Sequence, residues 1–211
     1  MDENLSEKEQ IEQLAKWWDE NKTYVITGLA LGASILFGWN YYKNQKLTRA
    51  YGAAALHASL TQAVDSGNVD AATAAAQQLA GDFASTPYAQ LAPLVTARLH
   101  IDNGDLDAAA AQLTAALSAP DEIAHVARLR LARVRLAQER PADALEVLTG
   151  ASGQYAAMFA EVRGDAHAAL GSADEARRAY DEALDSDGTA IDRNFVQMKA
   201  DALGVGVASI P

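Results

Sequence analysis

From Thr23 to Tyr42 the chain reads TYVITGLALGASILFGWNYY, twenty residues without a charge, bracketed by Lys22 and Lys43. At about 1.5 Å per residue, a helix of that length spans roughly 30 Å, the thickness of a bilayer's hydrocarbon core. Tyr24 at one end and Trp39, Tyr41 and Tyr42 at the other fall where amphipathic aromatics favour the membrane interfaces. The segment therefore reads as a transmembrane helix over 23–42. The alternative, a core helix of a soluble protein, fits neither the length nor the lysine brackets. A cleavable signal peptide fits no better. Twenty-two residues with seven acids precede the apolar run, and bulky aromatics follow it in place of small residues.

The flanks do not orient the span. Lys8, Lys16 and Lys22 precede it, and Lys43, Lys46 and Arg49 follow it, so the count of positive charges is a tie. The lead over 1–22 is itself helix-like, with Ser6 and Glu9 at capping-box spacing and Ile11, Leu14, Ala15 and Trp18 on one face. Two arrangements suit it: a helix lying at the membrane interface on Trp17 and Trp18, or an extension of the anchor helix into water.

After the anchor, alanine supplies much of the apolar content, a composition that favours closely packed helices. Residues 47–211 carry 12 basic against 21 acidic side chains within a chain of net charge −11. Such a domain would repel a phosphate backbone, which argues against nucleic acid as a partner. No cysteine is present, so disulfides, thiol nucleophiles and zinc-thiolate sites are all excluded.

Short breaks punctuate this region at 67–70, 85–87, 103–107, 119–120, 140–141, 171–174 and 186–188, and no useful stretch alternates with the period of a strand. The expected class is all-α. GNVDAA, GDLDAA, RPADAL and GSADEA are four versions of one turn and helix start, and they make Ala72, Ala109, Ala144 and Ala176 equivalent. The intervals of 37, 35 and 32 residues scatter around the tetratricopeptide (TPR) period of about 34. The last copy is fullest, with Gly164, Gly171, Ala176, Tyr180, Ala183 and Leu184 at the small, turn and bulky positions of that repeat. In the third copy Pro141 is read as standing in for the turn glycine. The organisation expected is a lead over 1–22, the span over 23–42, a TPR-like domain over 43–203 and a flexible tail over 204–211.

Two candidate interaction surfaces follow. In the span, Gly28 and Gly32 form GxxxG, and Ser34 and Gly38 extend a stripe of small residues on which another helix can pack. In the domain, the first helix of each TPR pair lines the concave face. Its exposed positions are Leu91, Leu94, Arg98 and Ile101 in one repeat, Val126, Leu129, Arg133 and Leu136 in the next, and Met158, Glu161, Asp165 and Ala168 in the last. This gives an apolar groove, basic along two repeats and acidic at the far end. The plainer alternative is that these leucines pack on neighbouring helices. No catalytic, cofactor or metal site is expected. His57, His100, His125 and His167 lie on four different helices without a second histidine at ligand spacing, and no nucleophile elbow, P-loop or dinucleotide fingerprint occurs.

WWDENK, GLALGASILFGWNYY, LRLARVRL at 129–136, VRGDAHAALGSADEARRAYDEAL at 162–184 and QMKADAL at 197–203, in that order, resemble the YfgM family, the ancillary subunit of the SecYEG translocon of Gram-negative bacteria. The resemblance implies a non-enzymatic inner-membrane protein with a cytoplasmic N-terminus and periplasmic repeats. It further implies association with SecYEG and with the membrane-anchored chaperone PpiD, and the passing of emerging secretory proteins to periplasmic chaperones. A protein of different class, a holdase that binds unfolded periplasmic clients itself, remains the alternative. Neither takes a small-molecule substrate.

Overall fold

The computed structural model describes residues 7–149, 153–186 and 191–205. Ser6 of the expected capping box and most of the expected tail, 206–211, lie outside the described residues. Among those described, every regular element is helical: α1 (Glu7–Asp65), α2 (Val69–Asp82), α3 (Pro87–Asp102), α4 (Leu106–Ala115), α5 (Asp121–Ala137), α6 (Pro141–Val147), α7 (Ala156–Ala169), α8 (Ala173–Asp185) and α9 (Arg193–Val205). Two compact units divide the chain after Tyr51, so that residues 43–51 belong with the membrane segment and the repeats begin at Gly52.

In the first unit, α1 carries the apolar run without burying it. Tyr24, Ile26, Leu29, Leu31, Ile35, Leu36, Phe37 and Trp39 are all exposed, and none of the apolar window is covered by protein. A helix that satisfies its own backbone but leaves such a surface bare is suited to lipid. Ser34 satisfies its hydroxyl within the helix by donating to the carbonyl of Ala30 at 2.8 Å.

The second unit is a stack of helix pairs. The last turns of α1 pair with α2, α3 with α4, α5 with α6 and α7 with α8, while α9 follows alone. Its apolar residues form successive clusters, each built from three consecutive helices. The first joins Leu60 and Val64 to Leu79 and Leu99, and the second joins Leu94 to Leu113 and Leu131. The third joins Leu129 to Leu148 and Phe159, and the fourth joins Ala160 to Tyr180 and Val196. No pair closes a core alone; each is completed by the next helix along, as in a solenoid.

The four equivalent alanines are each the fourth residue of the second helix of a pair, and all four are fully inaccessible to solvent. Twelve residues before each stands a residue of the first helix, and four residues after stands one that packs with it. The resulting sets are Leu60 with Ala76, Ala97 with Leu113, Ala132 with Leu148, and Gly164 with Tyr180. One member is small wherever the other is large. The last set is tightest, because a Cβ on Gly164 would lie 2.4 Å from the Tyr180 ring.

The turns within pairs repeat as closely. Gly67, Gly104 and Gly171 take positive φ, and the amides at and after each close a Schellman motif on the preceding helix, as in Gly104 N to Ile101 O at 3.0 Å and Asp105 N to His100 O at 2.8 Å. Asn68 and Asp105 then cap the next helix by accepting from the amides of Ala71 and Ala108. In the third pair this position belongs to Glu139, whose φ is 59° and whose amide bonds Leu136 O at 2.9 Å. Pro141 is therefore not the substitute for the turn glycine. It is the first residue of α6, where its missing N–H costs nothing. The connection from 148 to 155, absent from the expected breaks, separates α6 from α7.

A Cβ in the left-handed region costs roughly 1–2 kcal/mol, partly offset by the extra unfolded-state entropy of glycine. Thermal unfolding followed by circular dichroism should therefore show Glu139→Gly stabilising the repeats by up to about 1 kcal/mol, whereas Gly104→Ala and Gly171→Ala destabilise them by a similar amount.

Candidate functional site

The arginines expected on the groove come from helices α3 and α5, which touch along one face of the array. A cavity of about 370 Å³ lies there, lined by Leu94, Ala97, Arg98 and Ile101 of α3, Leu106 at the start of α4, and Arg130, Arg133, Val134 and Ala137 of α5. Of the expected groove residues, Leu94, Arg98, Ile101 and Arg133 meet at this cavity. Arg98 is held between Asp65 at 3.4 Å and Asp102 at 3.6 Å. The guanidinium of Arg130 approaches the carbonyl of Leu94 at 3.5 Å, and both Arg130 and Arg133 are exposed. The lining contains six apolar residues, three arginines and no acid.

Other expected groove residues lie elsewhere. Leu91 and Val126 are half-buried against the cluster of α3, α4 and α5. Leu129 is buried with α6 and α7, and Leu136 and Met158 pack on the same cluster. Ala168 packs in the last cluster. Arg130, Ala97, Leu106, Val134 and Ala137 are additions made by the structure. Arg130 had a visible signal, since it stands three residues before Arg133 and so shares its helix face.

At the far end Glu161 and Asp165 are already engaged. Lys199 of α9 donates to Glu161 Oε1 at 2.8 Å and to both oxygens of Asp165 at 2.8 and 3.0 Å. The Tyr180 hydroxyl donates to Asp165 Oδ1 at 2.8 Å. The ammonium sits 4.6 Å from the Phe195 ring centroid. Burial first, and then the bond to Asp165, push the Tyr180 phenol well above its ordinary value of 10.0. Burial draws Lys199 down, but its bonds to Asp165 and Glu161 outweigh this and leave it above its ordinary 10.5.

In the membrane segment a Cβ on Gly28, Gly32 or Gly38 would meet nothing within 4 Å. The four histidines are on α1, α3, α5 and α7, and among the described residues no group of acids and histidines is arranged to hold a metal.

A repeat array with a grooved face, behind one helix long and apolar enough to cross a membrane, defines a class of protein: the tetratricopeptide repeat-like interaction domain with a membrane anchor. The sequence profile described as tetratricopeptide repeat-like domain matches residues 15–205, taking in the anchor as well as the repeats. The chain is 31% identical to the ancillary SecYEG translocon subunit of Escherichia coli over 203 residues, 95% of this chain and 98% of that one. It is 29% identical to the protein of the same name from Haemophilus influenzae and 26% to that from Neisseria gonorrhoeae, again over 95% of this chain and 98% of each relative. The chain belongs to this tetratricopeptide repeat-like family of ancillary translocon subunits, which is not an enzyme family. No solved structure matches it significantly.

Tyr180 and Lys199 keep their protons in the folded chain at pH values where the unfolded chain releases them. Their contribution is therefore complete below about pH 10 and declines as pH rises beyond it. Melting temperature should fall steeply on the alkaline side of pH 10, and Lys199→Gln should start lower and lose less there.

Proposed function

We infer that this chain is an ancillary subunit of the SecYEG translocon, held in the inner membrane by residues 23–42 with its lead in the cytoplasm and its repeats in the periplasm. The repeats link emerging secretory proteins to periplasmic chaperones, a PpiD-like membrane-anchored chaperone among them, through the face formed by α3, α5 and α7. The observation that carries this is the span of the likeness: relatives named for the translocon match the anchor and the repeats together, over 98% of their own length. A subunit that meets emerging chains has its binding domain on the side where they emerge, which supplies the orientation that the balanced lysines do not.

The large apolar side chains that the described repeats leave exposed are few: Val69 on α2, Ile101 on α3, Leu170 after α7, and the neighbouring pair Phe195 and Met198 on α9. A holdase for unfolded clients would be expected to present a broad contiguous apolar patch instead. This favours the adaptor.

Two experiments test the reading. Protease added to cells with only the outer membrane opened should digest the repeats and spare the lead; protected repeats would overturn the orientation. In the anchor, the open face at Gly28 and Gly32 suits a close-packed membrane helix. Gly28→Leu with Gly32→Leu should lower recovery of SecYEG with this chain from detergent-solubilised membranes, and unchanged recovery would free these glycines of that role.

A further inference from the structure

The two charged ends of the α3–α5–α7 face are unequal in a way that selects the chemistry of a partner. At the α7 end the carboxylates of Glu161 and Asp165 are bonded by Lys199 and half-buried beneath it. A cationic partner arriving there would have to displace an intramolecular ion pair already supported by Tyr180. At the α3–α5 end the cavity is walled by Leu94, Ile101 and Val134 and rimmed by three arginines, without an acid in its lining. Arg98 shares its charge with Asp65 and Asp102, but Arg133 has no acid partner among the described residues. This concentration of positive charge stands in a chain of net charge −11. Solvation alone does not ask for it, since an acidic surface already keeps such a domain soluble.

We propose that the cavity between α3 and α5 docks an acidic, amphipathic peptide segment, whose aliphatic side chains enter between Leu94, Ile101 and Val134 while its carboxylates pair with Arg130 and Arg133. The proposal rests on the adaptor reading and adds the class of segment that the adaptor receives. A cavity of about 370 Å³ is at the small end of ligand pockets, so it accepts a few side chains of a segment and not a folded face. Apolar burial supplies the affinity, and the guanidinium planes, suited to bidentate carboxylate pairing, fix register and exclude basic segments. Arg130 is the specificity-determining residue that this adds to Arg133, because it lines the same cavity from α5 and its guanidinium lies 3.5 Å from the Leu94 carbonyl of α3.

The test is a selection of random phage-displayed peptides on the full chain in detergent. Enriched sequences are expected to combine aliphatic residues with an excess of Asp and Glu. Synthetic copies of them should bind about tenfold more weakly to the double variant Arg130→Glu, Arg133→Glu, while Arg177→Glu with Arg178→Glu on α8 leaves binding unchanged. Both rim arginines are exposed; should the double variant lose helicity, Arg130→Gln with Arg133→Gln decides by the same loss of binding. Failure to enrich any sequence, enrichment without an acidic excess, or equal binding to the wild-type and neutralised rims each overturns the proposal. Recovery of SecYEG with the wild-type chain is measured in parallel. If SecYEG is recovered while the peptide experiment fails, the proposal alone falls; if SecYEG is absent, the adaptor reading falls with it.

Discussion

The fold of the repeat unit depends on a steric match at each helix crossing, one small side chain against one large. Gly164 beneath Tyr180 is the extreme case, and Ala97 with Leu113 and Ala132 with Leu148 are the ordinary ones. In the first pair the sizes are exchanged, with Leu60 on the first helix and Ala76 on the second. The volume filled is nearly preserved, which is what close packing requires; the identity of the helix that supplies the bulk is not fixed. With the paired helices held this close, their outer faces remain apolar and can only be covered by the next pair. That is why the clusters run continuously from α1 to α9.

Beyond the last helix pair comes α9, packed against α7 and α8. Val196 and Ala200 cover the last pair, while Arg193 reaches back to the carbonyls of Leu184 and Ser186. Lys199 carries this contact across to α7, so the α7–α8 repeat uses its carboxylates to hold α9. The face of the array thus changes character along its length, from a cationic apolar hollow to a surface whose charges are internally matched.

Much of this was legible in the sequence because it is written in local signals. The apolar span is set by length and charge alone, and the buried alanines by an interval that recurs. The turn of the third pair is not marked in the sequence, because its left-handed residue is Glu139, where the other three turns carry glycine, and Pro141 two residues on supplies the turn-like signal instead. The groove was partly legible. Arg98 and Arg133 follow from helix geometry, but Leu129, Leu136 and Met158 turn to the core because α5 and α7 each serve neighbours on two sides. No local pattern announces that Lys199 meets Glu161 across 38 residues of chain. That contact exists only once α9 has docked.

Within every pair the link from first helix to second is the same three residues long, 66–68, 103–105, 138–140 and 170–172, while the links leading to the next pair are four, five and eight residues, at 83–86, 116–120 and 148–155. The short link cannot stretch, because the residue that finishes one helix by bonding its carbonyl also begins the next. Length variation is therefore confined to one edge of the array. An epitope or fluorophore placed by an experimenter finds room on that edge more readily than on the opposite one, where every link is bonded into both of the helices it joins.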